Sequence, residues 1–135
     1  MNTLPGQIAS VKTDGSLSLV QVKVGEALFS VILIDTPDTA PYLQAERIVE
    51  VIFKETEVVL GTGELPQVSL QNRLHGQVLE VEAGPLLGRV RMKTAVGEVV
   101  SIVTARAIEQ LGIEIGKEIW ALVKTNEVML APIEE

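Results

Sequence analysis

Leu4-Pro5-Gly6-Gln7-Ile8 recurs seventy positions later as Leu74-His75-Gly76-Gln77-Val78. The same spacing puts Val11 on Val81, Val20 on Val90 and Val22 on Met92. Near the end of each copy, Phe53-Lys54-Glu55-Thr56-Glu57-Val58 overlies Val123-Lys124-Thr125-Asn126-Glu127-Val128. Between these stretches the alignment of Gly25-Glu26 with Gly97-Glu98 calls for a small insertion. Apolar matches between strands are cheap, but the shared Gly, Lys and Glu are not hydrophobic filler. The chain reads as a tandem duplication.

One copy can therefore be read twice. A first strand starts at the Leu-x-Gly-Gln step and runs through Val11 or Val81 to a turn at Thr13-Asp14-Gly15 or Ala83-Gly84-Pro85. A second, Ser18 to Val24 or Gly88 to Thr94, alternates apolar and polar residues as a half-buried strand does. The Gly25 or Gly97 turn leads into a third, Ala27 to Ile34 or Glu98 to Thr104.

The copies then diverge. In the second, Thr104 to Gly112 reads as one short helix with Thr104 as cap and Gly112 as stop. In the first, Asp35-Thr36-Pro37-Asp38-Thr39-Ala40-Pro41 reads as a turn-rich loop. Two strands close each copy: Arg47 to Lys54 and Glu57 to Leu60, then Lys117 to Lys124 and Glu127 to Leu130. This order predicts an all-β fold: two tandem five-stranded Greek-key barrels of the oligonucleotide/oligosaccharide-binding (OB) kind, spanning 1–63 and 64–135, each with a helix or loop after its third strand. Gly61 to Pro66 is the predicted linker. Barrels this small should pack together, or with other chains.

Composition narrows the function. Hydrophobic residues make up 47% of the 135, but aromatics only 3%, so the core must be Val, Ile, Leu and Ala. The absence of cysteine excludes disulfides and thiolate metal sites, and favours a reducing compartment. The opening residues lack an export signal, which predicts a cytoplasmic protein. A net charge of −7 opposes binding to nucleic acid or anionic membranes, and no apolar run is long enough to cross a bilayer. Nucleophile, Walker and dinucleotide motifs are missing, so an enzyme is not expected.

Three stretches of the second copy, taken in order, resemble the molybdate-binding Mop (molbindin, TOBE-like) domain. They are Ser69-Leu70-Gln71-Asn72 before the Gly76 strand, Val103-Thr104-Ala105-Arg106-Ala107 at the helix entrance, and Gly116-Lys117-Glu118-Ile119 before the strand ending in Lys124. The Leu4-Pro5-Gly6 start of the first copy is similar to a more divergent Mop copy. The resemblance implies a cytoplasmic binder of molybdate, and often tungstate, for storage, buffering or homeostasis. It also implies a homo-oligomer, a trimer, with sites between subunits, and a metal held as its oxyanion rather than by direct protein ligands.

A tetrahedral dianion needs many convergent donors and few carboxylates. On the resemblance these are Ser69, Leu70, Gln71, Asn72, Thr104, Ala105 and Lys124, with Lys54 and Thr36 as first-copy counterparts. Three positions depart from the family pattern: Gln71 stands for its Arg, Ala107 for its Ser, and Gly84-Pro85-Leu86-Leu87 lacks its Asn. Those losses support an alternative, a Mop-like module for oligomerisation or regulation that has given up the anion. His75, without Cys or His partners, reads as a strand-end residue, and Trp120 as core or interface. Glu80/Glu82 and Glu134/Glu135 read as solvated surface or tail.

Overall fold

A computed structural model describes residues 1–133; the Glu134/Glu135 pair lies outside the described residues. In the first copy, β1 (Asn2–Asp14), β2 (Leu17–Val24) and β3 (Ala27–Leu33) form an antiparallel meander, and β4 (Ile48–Phe53) returns beside β1. In the second, β6 (Asn72–Ala83), β7 (Leu87–Thr94) and β8 (Gly97–Thr104) repeat the meander and β9 (Glu118–Val123) returns beside β6. The spatial order 4-1-2-3 is that of a Greek key. Alternation explains why these segments are strands: in β2, Val20, Val22 and Val24 point inward and are fully buried, while Leu19, Gln21 and Lys23 between them face out.

The fifth strands are exchanged. β5 (Val59–Gly61) follows the first copy in sequence but pairs with β9, and β10 (Met129–Pro132) follows the second but pairs with β4. The sheets are therefore β10-β4-β1-β2-β3 and β5-β9-β6-β7-β8. Divided between residues 63 and 64, where the repeat divides the sequence, each half lends its last strand to the other half's sheet. The two inner faces form one contiguous hydrophobic cluster, from Leu4 and Phe29 through Val99 to Val128.

Seventy positions separate equivalent residues throughout, which corrects the insertion read from the sequence. Both hairpins have two-residue turns, closed by Val24 opposite Ala27 and by Thr94 opposite Gly97. Gly25 is thus a turn residue at φ 61°, whereas Gly97 is the first residue of β8, and their likeness is coincidental. After the third strand, the second copy forms α1 (Ala105–Leu111), capped by the Thr104 hydroxyl and ended by Gly112 in the left-handed region. The first copy crosses the same number of residues in turns, with the amides of Thr39 and Ala40 donating to the Thr36 carbonyl. The crossings end alike: Glu46 N–H donates to Ile8 O and Gly116 N–H to Val78 O, at φ 74° and 92°.

The shared Gly-Gln step now has a cause. A Cβ on Gly76 would lie 2.2 Å from the Lys93 carbonyl oxygen, and one on Gly6 2.7 Å from Val22 Cγ1. Only glycine lets the first two strands approach so closely just before the bulge that each copy carries, at Ile8/Ser10 and Val78/Glu80.

Candidate functional site

Several of the candidate donors lie where one copy is joined to the other. β6 begins at Asn72, paired in register with Val123, so Gln71 and Lys124 flank the open end of that ladder. Asn72 is fully buried, and its side chain spans to the other sheet: Ser30 N–H donates to its Oδ1 at 2.7 Å, and its Nδ2 donates to Ser30 O at 3.0 Å. Seventy residues earlier Asn2 does the same, accepting from Val100 N–H and donating to Val100 O, both at 2.8 Å. Ser30 and Val100 are equivalent positions of β3 and β8. A primary amide is the side chain that can both donate and accept in this way, completing the backbone pairing of an edge strand.

This arrangement changes the expected role of Asn72. Its Oδ1 and one of its two N–H groups are committed to Ser30 and the side chain is fully buried, so Asn72 holds the junction together. The residues before it remain available. Arg73 gathers the carbonyls of Pro66, Val68 and Leu70 onto its guanidinium, with Leu70 O at 2.7 Å and Val68 O at 2.6 Å. Leu70 is thus a carbonyl partner of Arg73. Ser69 and Gln71 stay exposed, and among the described residues neither of their side chains makes a hydrogen bond. Lys124 is exposed on the last residue before a 3-10 turn (Thr125–Glu127) that packs against β3, and forms no ion pair among the described residues. Lys54 has the matching place before Glu55–Glu57, packed against β8.

Thr104 and Ala105 lie elsewhere. Within the second sheet they sit at the far end of β8, about 23 Å along the strand from its start at Gly97. Thr104 Oγ1 accepts from the Ala107 amide at 3.0 Å, which still leaves its hydroxyl proton free to donate. Ala105 N–H is already given to Leu86 O at 2.9 Å, so it is not the free anion donor expected from the sequence. Thr36 is not the counterpart of Thr104 either: with Ser18 opposite Leu33 and Gly88 opposite Val103, the equivalent of Thr104 is Ile34, 81% exposed and without a donor. Thr36 instead uses its backbone in the loop, donating to Thr39 Oγ1 at 2.9 Å.

The donor set is therefore split. At one junction Asn72 and the turn after Lys124 lie against β3, the strand that runs on to Ile34, and Ser69 and Gln71 lead into Asn72. The other brings Lys54 against β8, the strand that ends in Thr104. Among the described residues there is no group of three or more His, Cys, Asp or Glu fit to hold a metal ion. His75 stacks edge-on against Trp120 at 4.8 Å, and the indole N–H donates to Gly63 O at 3.2 Å, so Trp120 fastens the linker to β9. Among the described residues no helix is long and apolar enough to cross a membrane.

Two features were missed from sequence: the clamp by Asn2 and the linker staple by Arg73. The first had a signal, because the seventy-residue spacing sets Asn2 on Asn72. The second had none, since a staple to three backbone carbonyls leaves no mark in residue type.

A barrel-junction protein of this kind falls in the TOBE class: residues 69–130 match the TOBE domain. Over 64 residues the chain is 36% identical to molybdenum-pterin-binding protein 3 of Clostridium pasteurianum, covering 47% of this chain and 94% of that protein. A probable molybdenum-pterin-binding protein of Haemophilus influenzae is 34% identical over 65 residues, again 47% of this chain and 94% of the relative. The chain belongs to this TOBE/Mop family of molybdenum-pterin-binding proteins, with two copies of a unit that makes up nearly all of those shorter relatives. MopB of Rhodobacter capsulatus aligns with both copies, 25% identical over 128 residues, 93% of this chain and 47% of MopB. A crystal structure of the cytoplasmic molybdate-binding protein ModG with molybdate bound superposes with a TM-score of 0.91 over 98% of this chain and 96% of that one, at 24% identity, and so shares the fold.

Proposed function

We propose that this protein binds molybdate or tungstate as the free oxyanion in the cytoplasm, for storage or buffering, and carries out no catalysis. The observation that carries the reading is the Ser69–Gln71 segment. Arg73 holds its Leu70 carbonyl together with those of Pro66 and Val68 just before it, and a hydroxyl, a carboxamide and the Lys124 ammonium are left exposed around the end of one ladder. Hydroxyl, amide and ammonium donors suit a dianion that accepts at every oxygen. The names of the family's members, and the molybdate held by ModG, supply the identity of the anion.

Because Thr104 is far from this segment within one chain, a complete donor shell requires a neighbouring copy, and a trimer is the assembly we propose. The competing reading, a module for assembly alone, draws on Ile34 in place of a threonine and on the occupied Ala105 amide. Thermal melts in molybdate, tungstate and sulfate separate the two. Ligand at a hundred times its Kd adds about 2.7 kcal/mol to the folded state, so molybdate or tungstate should raise Tm by several degrees while sulfate at equal ionic strength does not. Unchanged melts in all three would leave the assembly reading.

A further inference from the structure

The linker between the two copies is not a loose tether. It lies along the outer face of the second sheet, where Trp120 and Leu122 of β9 alternate with the core residues Ile119, Ala121 and Val123. Leu122 is buried against the start of the linker: its Cδ1 and Pro66 Cγ both lie 3.3 Å from where a Cβ on Gly61 would stand. The indole N–H of Trp120 fastens Gly63, and Arg73, in register with Leu122, takes the carbonyls of Pro66, Val68 and Leu70. Those carbonyls belong to every second peptide group of the segment. In a trans peptide the N–H points opposite to the C=O, so the amides of Gln67, Ser69 and Gln71 face away from the guanidinium. None of the three makes a hydrogen bond among the described residues. Arg73 itself makes no ion pair among the described residues, in a protein of net charge −7, and its donors are met by carbonyl oxygens instead. Thr3, at the equivalent place in the first copy, has a single side-chain donor and cannot gather a segment in this way.

We propose that Arg73 is the positioning residue of the oxyanion site: it sets the Ser69–Gln71 segment with two free amides turned outward, and passes its charge to them through the peptide groups. The inference deepens the molybdate or tungstate reading above and rests on it. A carbonyl that accepts from a guanidinium is polarised, and the N–H at the other end of that peptide becomes a stronger donor. A dianion set against the outer side of the segment therefore meets part of the arginine's charge without touching the arginine. Gln71 is neutral and cannot supply that charge itself. Lysine in place of Arg73 would keep the charge, but a compact ammonium lacks the planar fork that holds several fixed carbonyls at once. Ordering adds to the effect, because a segment already held before the anion arrives does not lose that freedom on binding.

The test is calorimetric titration of the whole chain with molybdate and with tungstate, beside thermal melts of the ligand-free protein. Arg73→Met keeps the aliphatic stem and is expected to weaken anion binding by about tenfold or more. Ser69→Ala should cost little further in that background, because the segment it belongs to is no longer set. Arg73→Lys should fall between the parent and Arg73→Met, and it carries the test if Arg73→Met does not fold. Trp120→Phe is the control: it releases the linker at Gly63, so it should lower Tm and leave the affinity unchanged. Parent affinity in folded Arg73→Met, fully additive losses with Ser69→Ala, or equal weakening by Trp120→Phe would make Arg73 a fastener of the linker only and overturn the proposal, with the binding site left standing. A parent protein that binds neither molybdate nor tungstate removes the reading beneath it.

Discussion

Asn72 and Asn2 carry the structure at the scale of single residues. Each closes two hydrogen bonds onto one residue of the opposite sheet, and removing either leaves a buried N–H and C=O without partners. Asn72→Ala should cost about 2–4 kcal/mol, the sum of two lost bonds and the desolvation of their orphaned groups. Asn2→Ala should cost less, because its bonds are only partly buried. Urea denaturation measures both. For the anion, Ser69→Ala and Lys124→Ala are expected to weaken molybdate binding more than Lys54→Ala, read as ligand-induced shifts in Tm. Equal losses in all three would mean that the Ser69 segment does not form the site. The sequence made these polar residues visible but could not rank them: an amide suits a ligand or a backbone equally well, and only the position of Ser30 decides.

At the scale of elements, local chemistry was legible where it is self-contained. The Thr104 cap and Gly112 stop define α1 within a residue, and period-2 alternation finds the long strands to within one or two residues at most ends. What escaped was the equivalence of the two crossings, since turns and a helix of equal length look unrelated in sequence. Two substitutions probe those crossings. Glu46 holds φ 74° where the second copy has Gly116, so Glu46→Gly should raise stability by up to about 1 kcal/mol. Gly88 is covered by Ile108, whose Cδ1 would stand 2.1 Å from an added Cβ. Gly88→Ala should therefore destabilise, by about 1–3 kcal/mol, and Ile108→Val in the same chain should recover part of the loss by withdrawing that methyl group. Additive losses in the double variant would show that the two side chains do not meet.

For the whole molecule, the duplication and the barrel class were plain in the sequence, but the exchange of fifth strands was not. Val58-Val59-Leu60 and Val128-Met129-Leu130 present nearly the same apolar edge, so either could complete either sheet, and a strand's pattern does not name its partner. The exchange explains why two small barrels hold together with so few aromatics: their core is one cluster and their ladders interlock. Residues 1–63 and 64–135, produced separately, should be poorly folded or self-paired, and should combine into a one-to-one complex when mixed. Asn72 and the turn after Lys124 also sit against the third strand of the first copy, so the site proposed there would belong to the pair rather than to one repeat. Calorimetric titration with molybdate, its stoichiometry referred to the measured oligomer and with sulfate as the control, tests this account most directly. A saturable heat with molybdate or tungstate and none with sulfate is the expected result; no heat with any of the three, from folded protein, would contradict it.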